Sequence, residues 1–299
     1  MSQGIRVVKD YFTFNGTPLK LAGNHTWNIV QAFNGKKVSI DKITGNFTRL
    51  WTIETKGMRL DNKFYGSNTK GVATVDVVPW KKNGELNQKY YNALDQVVSQ
   101  AEKKDIVTGV VLFDHAFNAY FDGGWKNHPL NGLGPKDPSE VHTIGPWNKY
   151  QRAHVRKTVK TLEKYDNVIY EVGNELSGKS APTFQAKVVK WIKELTNKPV
   201  GVSYAVGVYK DQSWLKKVGA DWIAPSNSAR AGGVRKVSGF KGPQILDTDH
   251  SWALTSNVLG LRTAWNDNRP LWLMDGFGGD VLRNRDNLQP DRNFIDSIL

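Results

Sequence analysis

Residues 167–175 read NVIYEVGNE, a stretch that changes from apolar to polar within a few positions. Its centre, 168–170, has the β-branched and aromatic side chains that are typical of a buried parallel strand. The stretch ends on Asn174 and Glu175. In a parallel α/β barrel the carboxyl ends of the strands line the active site, so a polar residue placed there points towards a substrate. Glu175 is therefore our first candidate for a catalytic acid, with capping of the next segment as the alternative.

Seven more short apolar runs alternate with segments of helical periodicity along the chain. Together with the first run, they predict strands at residues 19–22, 47–51, 106–113, 167–172, 199–204, 221–224, 244–248 and 271–274. Strands that alternate with helices indicate a parallel sheet, and eight of them indicate a closed (β/α)8 TIM barrel. Because such a barrel takes about 250 residues, we expect residues 1–299 to form a single catalytic domain.

Two segments depart from this alternation. Residues 10–16 predict a hairpin ahead of the first barrel strand, because Asn15-Gly16 is a strong turn signal. Residues 116–147 are rich in Gly, Pro, Asn and His and have little periodicity. Loops of that length in compact domains are usually functional. We expect this one to lie over the C-terminal face of the barrel as a wall or a lid.

Composition excludes several classes of protein. The chain has no cysteine, which excludes disulfides and thiolate chemistry. No stretch approaches the roughly 18 apolar residues of a membrane span, and residues 1–10 lack the apolar region of a signal peptide. We expect a soluble protein, cytoplasmic or secreted after removal of a leader. The six histidines are spread widely and form no helix-borne ligand pair, so we expect no metal and no other cofactor.

The chain is strongly basic, with a formal net charge of +13. That charge suggests a nucleic acid or an anionic glycan as partner. The lysine doublets, however, lie in separate segments, at 36–37, 81–82, 103–104 and 216–217. We interpret them as a solvated basic surface instead of a nucleic-acid site. Many of the 11 tryptophans lie where predicted strands end, and there they could stack on sugar rings or on bases.

Acidic residues lie at the ends of several predicted strands. Glu175 follows the fourth, Asp247 and Asp249 end the seventh, and Asp275 ends the eighth. Since strand ends meet at one rim of a barrel, these carboxylates are expected to converge. Glycoside hydrolysis needs two: one protonates the leaving oxygen, and the other attacks the anomeric carbon or activates a water. Residues 247–249 are also a D-x-D sequence, as in some glycosyltransferases, but no Gly-rich phosphate loop lies near the first strand.

Short blocks in the same order along the chain resemble the glycoside hydrolases of clan A, retaining enzymes built on a (β/α)8 barrel. The resemblance is closer to a group of cellulase-like glycosidases. The blocks are FT (12–13), GNHTWN (23–28), RLW (49–51), VLF (111–113), HPLN (128–131), NVIYE with NE (167–175), ILDTDH (245–250) and PLWLMD (270–275). As a set they cover nearly the whole predicted barrel, and they specify the fold and the reaction class but not the substrate.

The resemblance implies roles for particular residues. Glu175 would be the acid/base, and Asn174 would position the sugar or the nucleophile. Asp249 would be the nucleophile, with Asp247 as its rival. The clan has Glu at that place, and the shorter Asp leaves an inverting mechanism or an inactive site open. Substrate-binding residues are expected at Asn24, His25, Trp27, Arg49, Trp51, Asp114, His128, Tyr204, His250, Trp252 and Asp275.

Each of these residues also has a structural interpretation. An arginine inside a strand is costly unless it is paired, so we expect Arg49 to face a carboxylate in the barrel mouth. His154 lies in an apolar helix stripe and is expected to be a satisfied structural residue. The predicted function is hydrolysis of a poly- or oligosaccharide, and the basic charge leaves an anionic one open. The alternative is a barrel that binds carbohydrate or nucleic acid without turnover.

Overall fold

The computed structural model describes residues 4–26, 30, 40, 43, 45–57, 77–119, 123–204, 212–225, 236–247 and 270–273, with the backbone alone for 24–26, 247 and 271–273. Within these ranges, no helix combines the length and the apolar character that crossing a membrane would require.

A small antiparallel sheet begins the fold. It consists of β1 (Ile5–Val8), β2 (Tyr11–Phe14) and β3 (Thr17–Leu19). The predicted turn is confirmed, since Asn15 and Gly16 have φ angles of 50° and 83°, the two positive values that the tightest hairpins require. The prediction of a barrel strand at 19–22 is wrong at its start. Leu19 pairs with Phe12 in the hairpin, and an apolar run gives no sign of where one sheet ends and the next begins.

Eight parallel strands follow and form the barrel. They are β4 (Ala22–Thr26), β5 (Phe47–Trp51), β6 (Val107–Asp114), β7 (Val168–Asn174), β8 (Val200–Ser203), β9 (Trp222–Ala224), β10 (Leu246–Asp247) and β11 (Leu271–Leu273). The order in the sheet is β10-β11-β4-β5-β6-β7-β8-β9, with every pair parallel. A parallel bridge between Ile223 and Gln244 joins β9 to the segment entering β10. The sheet therefore closes on itself, and the predicted (β/α)8 barrel is confirmed.

The hairpin covers the amino-terminal end of this barrel. Side chains from the hairpin and from the first positions of several strands form one buried apolar cluster, whose members are Ile5, Phe12, Leu21, Phe47, Val107, Ile169, Trp222, Ala224 and Ile245. Because this cluster closes one end of the barrel, only the opposite end, where the strands finish, is available for a site.

Helices pack outside the strands. They are α1 (Gln88–Glu102), α2 (Ala116–Ala119), α3 (Pro138–Val141), α4 (Asn148–Leu162) and α5 (Ala181–Lys193), with 3-10 turns at Trp125–Asn127 and Ser213–Lys216. Helix α1 begins at Asn87, whose side chain accepts a hydrogen bond from the Lys89 amide. Residues 116–147, predicted as a long loop, contain α2, α3 and one 3-10 turn. Helices this short leave no periodic pattern in the sequence.

Candidate active site

Glu175 lies one residue beyond β7, at the open end of the barrel, and is half-buried. Its φ angle is 50°, in the left-handed region that costs a residue with a side chain roughly 1–2 kcal/mol. Gly173 makes the approach to this turn possible, because a Cβ there would lie 2.8 Å from the Leu176 side chain. Backbone strain of this kind concentrates at functional sites. Of the two described carboxylate residues with a positive φ, Asp105 and Glu175, Asp105 precedes β6, and only Glu175 lies at the open end of the barrel.

Neighbouring strand ends hold the two residues of the Asn-Glu pair. The Tyr204 hydroxyl, just after β8, donates a hydrogen bond of 3.2 Å to Glu175 Oε1. Asn174 Nδ2 donates to Asp114 Oδ1 at 2.9 Å, and the Phe117 amide donates to Asp114 Oδ2 at 2.7 Å. Three adjacent strand ends, those of β6, β7 and β8, are thus linked through side chains.

Asp114 is fully buried at the end of β6. Burial raises the pKa of its carboxyl well above the usual range, and the nearby charges of Glu175 and Glu54 raise it further. The hydrogen bonds from Phe117 and Asn174 oppose that rise. Asp114 was predicted to bind substrate, but its two oxygens face protein donors. The structure therefore places it behind Asn174, where it orients the amide.

Arg49 lies inside the barrel and, as predicted, faces a carboxylate. Its Nε donates to Glu171 Oε2 at 2.8 Å, and its Nη2 donates to Glu171 Oε1. Ser203 Oγ lies 2.6 Å from both Glu171 Oε1 and the Gly173 carbonyl oxygen. Arg49 and Glu171 are both completely buried. Arg49, predicted to bind substrate, therefore supports the strand that carries the Asn-Glu pair.

A second buried carboxylate, Glu54, lies just beyond β5. Its Oε2 accepts hydrogen bonds from Asn118 Nδ2 at 2.8 Å, from the Asp114 amide at 3.1 Å and from His142 Nε2 at 3.1 Å. His128 Nε2, predicted to bind substrate, lies 3.9 Å from Glu54 Oε1 and has no hydrogen-bond partner among the described residues. Asn118, His128 and His142 all come from the 116–147 stretch, which therefore packs against the ends of β5 and β6.

The charges in this cluster affect one another. Burial alone would raise the pKa of Glu54, but the adjacent His142 and His128 outweigh it and hold that pKa well below its usual range. Burial lowers the pKa of His128. It also lowers the pKa of His115, to about 4. Among the described residues, no group of three or more His, Cys, Asp or Glu side chains is arranged to hold a metal ion.

The remaining predicted residues fall into two groups. Asn24 and His25 lie on β4, where His25 is in register with Arg49, and Asp247 is the last residue of β10. The Trp51 ring is buried, with its centroid 5.8 Å from that of Phe117. The other five, Trp27, Asp249, His250, Trp252 and Asp275, lie outside the described residues.

His154 on α4 is a satisfied structural residue, as predicted. The Tyr91 hydroxyl lies 3.0 Å from Nδ1, and Nε2 lies 3.1 Å from the Leu112 carbonyl oxygen. Sequence reasoning did not select Glu171, Asn118 or His142, and it gave Glu54 no role. Only one signal was available: Glu54 follows its strand much as Glu175 follows β7.

Solved structures of glycoside hydrolases resemble this fold over nearly its whole length. An endo-1,4-β-mannanase from Rhizomucor miehei matches with a TM-score of 0.65 at 12% identity, covering 99% of both chains. A β-mannanase from the blue mussel Mytilus edulis gives 0.62 at 14% identity, covering 99% of this chain and 96% of its own. A glycoside hydrolase family 5 cellulase from an Icelandic hot spring isolate gives 0.57 at 10% identity, covering 100% and 96%.

No family model matches the chain, and no curated protein sequence matches it significantly. At these identities the structural matches concern the fold. They confirm the expected fold: the chain has a barrel similar to those of two mannanases and a cellulase.

Proposed function

We propose that this protein is a glycoside hydrolase that cleaves O-glycosidic bonds of a poly- or oligosaccharide. One observation carries the proposal. Glu175 occupies the open end of a barrel shared with mannanases and a cellulase, in a strained turn and within hydrogen-bonding distance of Tyr204. A carboxyl at such a position can protonate a leaving oxygen and later deprotonate a water.

Within this proposal, Glu175 is the acid/base and Asn174 positions the sugar or the nucleophile. Asp114 acts on the site by orienting the side-chain amide of Asn174, which donates a hydrogen bond of 2.9 Å to Asp114 Oδ1. The attacking carboxylate comes from the end of β10, where Asp247 closes the strand and Asp249 follows two residues later. We assign Asp249 as the nucleophile of a retaining reaction, with Asp247 as its rival.

The stretch 116–147 forms a wall beside the site in this proposal. Three of its side chains, Asn118, His128 and His142, surround Glu54 at the end of β5. The wall is therefore anchored to the barrel through buried polar contacts. We propose that the whole chain acts as one catalytic unit with this wall at its open face.

The proposal is tested by assaying a panel of neutral and acidic polysaccharides for new reducing ends. Glu175→Gln keeps the shape of the side chain but cannot transfer the proton, so we expect turnover to fall by about 10²–10⁴-fold while substrate binding persists. Asp105→Asn is the matched control, because Asp105 is exposed just ahead of β6, at the end of the barrel opposite Glu175, and the change should leave activity unchanged. Wild-type activity in Glu175→Gln would refute the assignment.

The stereochemistry of the first product separates the two mechanisms. Retention of the anomeric configuration, followed by NMR during cleavage, would support a covalent intermediate on the β10 carboxylate. Inversion would instead mean that this carboxylate activates a water, as the shorter aspartate side chain allows.

A further inference from the structure

The outer face of α4 is densely basic. The helix contains five Lys or Arg residues and no Asp or Glu. These five line a groove of about 460 Å³, whose walls are Leu86, Lys149, Arg152, Ala153, Arg156, Lys157 and Lys160. Arg152, Arg156 and Lys160 are spaced four residues apart, and like charges at that spacing destabilise a helix. A ligand of opposite charge would offset this repulsion.

A second groove, of about 390 Å³, lies nearby. Its lining is Lys56, Val78, Trp80, Lys81, Lys82, Asn87, Lys89, Asn127 and Pro129, which includes four lysines and no acidic residue. Lys56 comes shortly after the end of β5, and Asn127 and Pro129 belong to the stretch that follows β6. This groove therefore lies at the same end of the barrel as Glu175.

The turn at residues 81–86 joins the two grooves. Ahead of it, Trp80 Nε1 donates a hydrogen bond of 3.3 Å to the Tyr150 carbonyl oxygen of α4. Within it, Gly84 has a φ of 79° and packs so closely that a Cβ there would lie 2.5 Å from the Tyr150 ring. Leu86 lines the first groove and Asn87 lines the second. We refer to the two adjoining grooves as the basic track.

Few carboxylates neutralise the basic track. Among the described residues, two of its nine cations form ion pairs, Lys81 with Glu85 at 3.2 Å and Arg152 with Glu194 at 3.1 Å. Both pairs are largely exposed to solvent, where such contacts are weak. From Lys149 to Lys160 the track extends about 16 Å along α4, which is long enough for several units of a polymer.

We propose that the basic track binds an anionic polysaccharide and leads it towards the open end of the barrel. The choice of a glycan over another polyanion rests on the proposed hydrolase. It is also favoured by the lining, because proteins that bind single-stranded nucleic acids stack bases on aromatic rings. The α4 groove has no aromatic lining residue, and Trp80 in the second groove is buried.

The test measures binding of polygalacturonate oligomers to the full chain, in the wild type and in a Glu175→Gln background that does not consume the ligand. Arg156→Gln/Lys160→Gln removes two exposed cations of the α4 groove. Lys216→Gln/Lys217→Gln removes two exposed lysines that line neither groove and is the matched control. Circular dichroism and thermal unfolding verify that each variant is folded.

We expect the α4 variant to raise the dissociation constant about tenfold, and to make binding less sensitive to salt, because fewer counterions are released. The control variant should bind as the wild type does, and Arg156→Glu/Lys160→Glu should bind more weakly still. Neutral mannan oligomers should show no dependence on these cations.

Two results would overturn the proposal. One is unchanged polygalacturonate binding in both α4 variants. The other is binding of a thymidine oligonucleotide as tight as that of polygalacturonate of equal charge. Failure of the hydrolase proposal is distinguishable, because it would appear as no cleavage of any polysaccharide by the wild type, while track-dependent polygalacturonate binding persisted.

Discussion

Glu171 and Glu175 lie four residues apart and have the same side chain, but they differ in burial, backbone conformation and hydrogen-bond partners. Glu171 is completely buried inside β7, where Arg49 binds both of its oxygens and Ser203 lies within hydrogen-bonding distance. Glu175 lies one residue beyond the strand, half-buried, with a positive φ and a tyrosine donor. The comparison shows how one strand can carry a carboxylate that holds the barrel together and another that is exposed to a substrate.

The difference follows from where the strand ends. Within β7, neighbouring strands enclose a side chain on every side, so a charge there must be matched by another charge. Beyond β7, the chain turns at Glu175, whose φ is positive, and the carboxylate reaches the open end of the barrel. Only the second position combines access to a ligand with fixed geometry, which catalysis requires.

The largest effect on stability should come from breaking the buried pair. Glu171→Gln leaves the Arg49 charge without a matching carboxylate, so we expect a loss of about 3–5 kcal/mol in the free energy of unfolding. Chemical denaturation measures this quantity. In Glu194→Gln, which removes one partner of an exposed pair, we expect a change of less than about 1 kcal/mol. Equal losses in the two variants would show that the pair does not support the barrel.

A smaller effect should appear as pH falls. Burial lowers the pKa of His154 to about 4, below its value in the unfolded chain. As pH falls, His154 is therefore protonated in the unfolded chain before it is protonated in the folded protein. The free energy of unfolding is highest above pH 6.5 and falls by about 3 kcal/mol for this residue as pH approaches 4. His115, whose pKa burial also lowers to about 4, acts in the same direction. Asp114 partly offsets both, because its raised pKa favours the folded state at low pH.

Denaturation curves recorded between pH 7 and pH 4 check this expectation. His154→Gln removes one titrating group, so the variant should lose less stability over that interval than the wild type does. An identical pH dependence in the two proteins would contradict the assignment of His154 as a buried neutral residue.

The smallest effect concerns the hydrogen bond to Glu175. Tyr204→Phe removes a 3.2 Å contact worth about 1 kcal/mol, so we expect kcat to fall about five- to tenfold with the fold intact. Tyr165→Phe is the matched control, because its hydroxyl binds Asp95 on α1 and not a residue of the site. Steady-state kinetics would contradict a role for Tyr204 if both variants behaved alike.

The barrel was predictable because most of its strands contain a short apolar run, and β5 to β9 are buried along their whole length. Glu175 was selected because a carboxylate directly follows such a run, a pattern that Asp114 at the end of β6 shares, and its role as a catalytic acid stays a prediction. The start of β4 was not predictable, because residues 19–22 continue the apolar character of the hairpin without a break. The Glu54 cluster could not be predicted either. Asn118, His128 and His142 meet only in the folded protein, and the sequence of residues 116–147 has no periodic pattern that would indicate this contact.

The basic track could not be predicted from the sequence either. Lys81 and Lys82 lie far from the α4 cations in sequence and read as one of several separate doublets. They become neighbours of α4 only because the turn at Gly84 packs against Tyr150. Contacts between distant segments of this kind depend on the tertiary fold and leave no mark in a local pattern.

The central claim, that Glu175 protonates the leaving group, is tested most directly by varying that leaving group. Hydrolysis of a polysaccharide and of a matched dinitrophenyl glycoside should be compared in wild type and Glu175→Gln, because the dinitrophenolate departs without a proton. We predict a loss of kcat/KM of about 10²–10⁴-fold on the polysaccharide and a far smaller loss on the dinitrophenyl glycoside. Equal losses on the two substrates, or no loss on the polysaccharide, would contradict the claim.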